Sequence, residues 1–163
     1  MLDPSDSPDS NLLHACMSML ATINNGMEDL LGPASKGVIF NTGVEQGKLL
    51  GVNLQKAEDF ETAIDTVNEA YKGVWNVELY KSIDQDSFIF EDEMGREAAK
   101  IIVKDCPVRK AVELCELQQE GPICYLTNGY LCGMLSQLTG KKIGMEILKA
   151  GPKSCLKQIH VRK

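Results

Sequence analysis

Among the residue types in this sequence, cysteine could take part in the most kinds of chemistry. No two of its cysteines are separated by only two residues, which excludes the commonest zinc-ribbon and thioredoxin-like signatures. Any metal site must therefore be assembled from distant segments. The alternative is that these thiols are buried free cysteines, which pack as small apolar side chains. The six are Cys16, Cys106, Cys115, Cys124, Cys132 and Cys155.

Glu146 is a second candidate metal ligand. It lies between two apolar residues, Met145 and Ile147, in a stretch with the composition of a strand. A carboxylate in such a setting requires water, a metal or a cation such as Lys149, unless the alternation of the strand turns it outward.

Three aromatic residues are candidates for the wall of an apolar pocket, namely Trp75, Tyr125 and Tyr130. Trp75 would suit a packed core equally well. No nucleophile beside a base, carboxylate pair or phosphate-binding glycine loop is evident. His14 and His160 are expected at the surface or at an edge rather than as haem ligands. These residues favour a binding domain over a self-sufficient enzyme.

The charge is unevenly distributed along the chain. The net charge is −6, but the segment from Lys141 to the end carries seven basic residues and one acid, which makes it +6 and the remainder −12. An acidic protein repels phosphate backbones, so nucleic acid is not an expected partner. The basic segment is either one of two complementary faces of the fold or a site for a carboxylate or an acidic partner.

The length and composition predict one globular domain over residues 11–163, preceded by a disordered, proline-containing arm over residues 1–10. No stretch is long and apolar enough to span a bilayer, and the first residues do not resemble a secretion signal. We therefore expect a cytoplasmic protein with reduced cysteines.

Apolar periodicity predicts the helices. The first covers residues 11–31, with a break at Asn24-Asn25-Gly26, and a second follows Gly32-Pro33. The third covers residues 57–72, and two more begin near Pro107 and Ile123.

Alternating patterns predict the strands, at residues 75–80, 88–90, 99–104, 143–148 and 156–161. The first three would form a meander of consecutive hairpins. Together the segments predict an α+β fold, in which helices cover one face of a twisted antiparallel sheet of about five strands.

An internal echo links two of the predicted helices. A polar pair followed by Gly43 and Gly47 in the second helix is repeated as a polar pair followed by Gly129 and Gly133. Glycine within a helix is unfavourable, so these positions predict close approach of another backbone or a ligand. The two helices would then face each other, unless the echo is due to chance.

The C-terminal part carries the most specific pattern. Residues 122–133 read PICYLTNGYLCG, and Gly140, Glu146 and Gly151 precede the last cysteine, Cys155. Over about residues 97–162 the chain resembles the 4-vinyl reductase domain family, which includes hydrocarbon-binding proteins of archaea. The resemblance implies a fold similar to the ligand-binding domain of haem-based nitric-oxide sensors and to Golgi transport-tethering subunits, with helices and sheet enclosing a hydrophobic cavity.

The resemblance also implies a metal site. In related sensor domains that respond to aromatic compounds, zinc is held at the positions of Cys124, Glu146, Lys149 and Cys155. Here Cys124, Glu146 and Cys155 are retained, whereas the ammonium of Lys149 cannot coordinate zinc. A thiolate from Cys106, Cys115 or Cys132 would complete a tetrahedral zinc site.

Three functions are consistent with these features. The first is a regulatory or carrier domain that binds a small hydrophobic or aromatic molecule, zinc-braced and homodimeric. The second is a dimerising or tethering interaction protein with a vestigial pocket. The third is a partner-dependent reductase of tetrapyrrole-type cofactor metabolism.

Overall fold

The computed structural model describes residues 8–83 and 85–162 of the 163-residue chain. Five helices and five antiparallel strands form an α+β fold, as the sequence predicts. In chain order they are α1 Pro8–Leu31, α2 Ala34–Gly51, α3 Phe60–Ala70, β1 Asn76–Tyr80, β2 Ile89–Glu91, β3 Glu97–Lys104, α4 Arg109–Leu114, α5 Pro122–Thr139, β4 Ile143–Ala150 and β5 Ser154–Val161.

Helix α1 is longer than predicted and unbroken. It begins at Pro8, so the last three residues of the predicted arm are helical, and residues 1–7 lie outside the described part of the chain. The predicted break at residues 24–26 is wrong, because Asn24 is accommodated by a side-chain hydrogen bond from Nδ2 to the carbonyl of Leu20, 2.8 Å long. The helix ends at Gly32, which adopts a φ of +60°.

Helices α2 and α5 pack through their glycines, as the internal echo predicts. A Cβ placed on Gly43 would lie 3.0 Å from Cα of Gly129, and one on Gly47 would lie 3.0 Å from Cα of Gly133. In each helix the glycines approach the backbone of the other, and the contacts repeat with the roles exchanged. The absence of side chains here lets the two backbones touch.

The sheet has the order β1-β3-β5-β4, and every pairing is antiparallel. The predicted meander is wrong, because β1 and β2 both pair with β3 and not with each other. Tyr80 of β1 is opposite Lys100, and Ile89 of β2 is opposite Ala99. The two short strands therefore lie end to end along one edge of β3.

Alternation assigns one face of the sheet to the helices. Val77, Ile101 and Ile159 lie on this face, in a core with buried residues of α3 and α5 such as Phe60 and Leu135. On β5 the helix-facing positions are therefore the odd-numbered ones from 155 to 161, while Gln158 and His160 lie on the opposite face.

Candidate ligand pocket

A narrow pocket lies where α4 and the first half of α5 meet the adjoining ends of β4 and β5. Its volume is about 30 Å³, which is room for one or two water-sized groups. Most of its surface is apolar, and its polar side chains converge from several elements. The lining residues are Cys106, Val108, Arg109, Val112, Gln119, Glu120, Cys124, Thr127, Ile147, Ala150, Cys155 and Lys157.

Three thiols from separate parts of the chain line this pocket. Cys106 precedes α4, Cys124 lies in the first turn of α5, and Cys155 lies near the start of β5. Burial raises the pKa of Cys124, and the nearby thiols of Cys106 and Cys155 add to that rise. The Cys124 thiol is therefore protonated near neutral pH and contributes an apolar wall rather than a nucleophile.

Lys157 brings a positive charge into the layer between helices and sheet. It occupies a helix-facing position of β5, two residues from the core residue Ile159, and only 5% of it is exposed. Its Nζ donates a 2.5 Å hydrogen bond to Oδ1 of Asn128, which is itself buried on α5. With the residues that the structure describes, Lys157 forms no ion pair.

Arg109 contributes a second cation from the first residue of α4. Its Nη1 donates to the carbonyl of Lys153 at 2.8 Å, and its Nη2 lies 3.6 Å from Sγ of Cys155. Both contacts are to groups in the β4–β5 hairpin. The guanidinium therefore connects α4 to the rim of the pocket without meeting a described carboxylate there.

The segment that carries α4, residues 105–121, contributes six of the twelve residues lining the pocket. Three of its residues other than glycine have a left-handed backbone, namely Asp105 with φ of 51°, Glu116 with 54° and Glu120 with 67°. Each such residue costs on the order of 1 kcal/mol or more. These are the three described residues other than glycine with positive φ, so backbone strain concentrates beside the pocket.

The predicted zinc ligands are divided between two faces of the sheet. Cys124 and Cys155 line the pocket, but Glu146 pairs with Gln158 on the opposite face. There its carboxylate lies 3.6 Å from Arg96 and 3.7 Å from Nδ1 of His160. This separation does not fit the ligand set that the resemblance implies.

Among the proposed replacement thiols, only Cys106 lines the pocket. Sγ of Cys115 lies 3.8 Å from the carbonyl of Ser18, and burial raises the pKa of Cys132 to about 12. Within the described ranges, no three His, Cys, Asp or Glu side chains are grouped so as to hold a metal. Zinc binding stays a prediction, which elemental analysis of the purified protein would test.

The three predicted aromatic residues do not line this pocket. Trp75 packs against Tyr71 with ring centroids 5.6 Å apart, beside an open groove of about 570 Å³. Tyr125 lies under Lys36 Nζ, 5.5 Å from the ring centroid, and the Tyr130 phenol is near enough to Tyr71 to help burial raise the pKa of Tyr71. We favour the smaller pocket because it combines an apolar wall with convergent polar groups.

Lys157, Asn128 and Arg109 are site residues that the sequence analysis did not identify individually. Lys157 had been counted only as part of the basic C-terminal segment. Its period-two spacing with Cys155 and Ile159 was a usable signal, since it places the lysine on the same face as two apolar residues. The contact with Asn128 could not be found this way, because it depends on the packing of α5 against β5.

His160 is buried, and not at the surface or at an edge as predicted, because β5 is an inner strand of the sheet. Burial lowers its pKa, and Arg96 lowers it further, whereas Glu146 opposes the shift. Its Nδ1 has no hydrogen-bond partner among the described residues. The neutral imidazole is therefore the favoured form in the folded protein.

Comparisons with known proteins support the fold. No family model matches the sequence, and no curated protein matches it. A solved structure that matches is the phenol-responsive sensory domain of the transcription activator PoxR with phenol. It is 17% identical, with a TM-score of 0.61, and the match covers 89% of this chain and 74% of that one.

In the described part of the chain, no helix combines the length and apolar composition required to cross a bilayer. The chain thus shares its fold with that neighbour, and it carries a narrow, thiol-lined pocket at one end of its sheet.

Proposed function

We propose that this chain is a small-molecule-binding domain whose ligand enters the pocket between α4, α5 and the β4–β5 hairpin. The observation that carries the proposal is the convergence of Arg109 and Lys157 on a pocket whose surface is mostly apolar. The shared fold with a phenol-responsive sensory domain supports it at the level of architecture. The resemblance to the 4-vinyl reductase domain family agrees with a hydrophobic or aromatic ligand.

Ligand entry requires the pocket to widen, because about 30 Å³ is far below the several hundred of a typical ligand site. The α4 segment is the part able to move. It packs through a small separate cluster of Val108, Val112 and Ile123, apart from the main core. A ligand that binds the wide form better would shift the equilibrium toward it.

The test is calorimetry and thermal shift with a panel of small aromatic and aliphatic compounds, using a pocket-filling variant. Ala150→Phe places a ring in the pocket, and Lys149→Phe places the same ring on the adjacent, exposed position of β4. We expect Ala150→Phe to abolish binding and Lys149→Phe to preserve it. Equal binding by both variants would show that the ligand lies elsewhere.

A second candidate function is self-association through α1, for which its surface gives a specific reason. Apolar residues occupy positions 12, 16, 19, 23 and 30 of α1, which follow the four-three spacing of a coiled-coil seam with Gly26 at the remaining position. The large apolar ones are exposed, Leu12 by 64%, Met19 by 66%, Ile23 by 61% and Leu30 by 85%, and Cys16 lies on the same stripe. A second copy of α1 offers the complementary surface.

Self-association predicts a dimer in light scattering that Met19→Glu converts to a monomer. Oxidation should also link two chains through Cys16, which lies exposed on the stripe. Thr22→Glu, an exposed change of α1 off this stripe, is the control and should leave the dimer intact. A wild-type monomer at high concentration would exclude this function.

A further inference from the structure

The buried ammonium of Lys157 forms fewer hydrogen bonds and ion pairs than are required to offset its lost hydration. An ammonium has three donors, and its hydrogen-bond partner among the described residues is the neutral amide oxygen of Asn128. Removing an ion from water is strongly unfavourable unless a charge or several hydrogen bonds replace the lost hydration. The lysine is 5% exposed, so bulk water can supply little of this compensation.

The second cation of the pocket, Arg109, is only partly buried, and it too forms no ion pair with a described residue. Arg109 contacts the carbonyl of Lys153 and the sulfur of Cys155, and neither contact is with a carboxylate. Glu120 is the one acidic residue among those lining the pocket, and it forms no ion pair with either cation. The pocket is thus lined by two positively charged side chains, and neither forms an ion pair with a described acidic residue. An anion could therefore bind between them.

The rest of the wall limits what kind of anion fits. Val108, Val112 and Ile147 present aliphatic surface, and the thiols add to it. An inorganic anion would leave this surface without a partner, whereas an organic acid would cover it with its carbon skeleton. Arginine also has the planar fork that matches a carboxylate.

We propose that the ligand of this pocket is a small organic acid, with its carboxylate between Lys157 and Arg109 and its apolar body against Val108, Val112 and Ile147. This inference rests on the proposed ligand-binding function and specifies the ligand class. It also gives the basic C-terminal segment a local role, since Lys157 belongs to it. Asn128 holds the Lys157 ammonium in place and is a positioning residue.

The experiment compares acids with their uncharged amides by titration calorimetry on the full chain. Benzoate and benzamide form one matched pair, and hexanoate and hexanamide form the other. We expect each acid to bind at least about tenfold more tightly than its amide, since its carboxylate accepts charge-assisted hydrogen bonds that a neutral amide does not. This comparison uses the wild-type protein and does not depend on a variant that folds.

Two lysine variants then locate the effect. Lys157→Met keeps the length of the side chain and removes the charge, and we expect it to lower affinity for the acids about tenfold or more with little change for the amides. Lys149→Met removes an exposed charge from the neighbouring strand and should change neither. Circular dichroism checks that both variants are folded.

The outcomes separate this inference from the function on which it rests. If the amides bind as tightly as the acids, the organic-acid inference is overturned while ligand binding stands. The same holds if Lys157→Met and Lys149→Met have equal effects on the acids. If none of the four compounds binds, both the pocket and its ligand class are overturned.

Discussion

Helix α5 meets its neighbours in two different ways on two of its sides. Toward α2 it presents Gly129 and Gly133, and backbone touches backbone. Toward α4 and β5 it presents Cys124 and Asn128, and side chains meet around a narrow pocket. We refer to these as the glycine side and the pocket side of α5.

The two sides differ in how far they can adjust when a side chain is changed. On the glycine side backbone meets backbone at the facing glycines, so an atom added there forces whole helices apart. On the pocket side, rotamers and the α4 segment can adjust, and a buried cation is tolerated beside an amide. We therefore expect the glycine side to determine stability and the pocket side to determine ligand binding.

The largest effect should come from adding one methyl group to the glycine side. Gly47→Ala places a Cβ within 3.0 Å of Cα of Gly133 and closer still to the carbonyl of Tyr130. Backbone cannot move aside as a flexible side chain can, so we expect the free energy of unfolding to fall by about 3 kcal/mol. Urea denaturation measures it.

Gly37→Ala is the matched control for this substitution, in the same helix. A Cβ at Gly37 has no atom within 4 Å, so the change should stabilise the protein by about 0.5–1 kcal/mol through helix propensity alone. If the two variants have equal stability, close backbone contact between α2 and α5 does not exist in solution.

On the pocket side, the next effect should come from removing the partner of the buried lysine. Asn128→Leu leaves the Lys157 ammonium without its hydrogen bond, and we expect a loss of about 2–3 kcal/mol of unfolding free energy. Adding Lys157→Met should recover most of it, because no buried charge then remains.

A double-mutant cycle with these two substitutions measures the coupling. Lys157→Met alone should change stability by no more than about 1 kcal/mol, in contrast to Gly47→Ala. If the changes that Asn128→Leu and Lys157→Met make in the free energy of unfolding simply add, the two side chains do not interact.

The two sides of α5 were not equally predictable from the sequence. The repeated spacing of Gly43 and Gly47 with Gly129 and Gly133 indicated a helix pair, because glycine has few reasons to occupy a helix except close approach. Strand and helix periods likewise identified every described element, since they follow from local geometry. The order of the strands could not be predicted from these periods, because β1 and β2 both pair with one edge of β3.

The pocket was only partly predictable for a similar reason. Cys124 and Cys155 belong to a motif and do line the pocket. Glu146 belongs to the same motif, but successive side chains of a strand point to opposite faces. Its neighbour Ile147 is on the pocket face, so Glu146 lies on the other face. Arg109 could not be assigned, since its role depends on where the short helix α4 packs.

A smaller effect is expected in the reactivity of two thiols on α5. Cys132 is fully buried and burial raises its pKa to about 12, whereas Cys124 borders the pocket. Movement of the α4 segment would expose Cys124 without global unfolding, so we expect it to be labelled by a thiol reagent at least about tenfold faster than Cys132.

Mass spectrometry of the labelled peptides measures both rates, and exposed Cys16 serves as the fast reference. A ligand that binds the pocket should slow the labelling of Cys124 and leave Cys16 unchanged. Equal rates for Cys124 and Cys132 would indicate that both react only through global unfolding, and that the pocket side is as rigid as the glycine side.

The smallest effect should come from the turn that ends α4. Glu116 has a φ of 54° and occupies the position where helices commonly place glycine. The amide of Leu117 donates to the carbonyl of Val112 at 2.9 Å, which is the hydrogen bond of such a helix end. Glu116→Gly should therefore raise the free energy of unfolding by up to about 1 kcal/mol, since it relieves backbone strain.

Glu113→Gly is the control, because Glu113 lies within α4 and is also exposed. There glycine should lower the free energy of unfolding by about 1 kcal/mol. Neither residue lines the pocket, so ligand affinity should change only through the mobility of the α4 segment. If Glu116→Gly stabilises the turn and weakens binding, opening of this segment limits ligand entry; if both glycine variants destabilise equally, the left-handed turn is not present in solution.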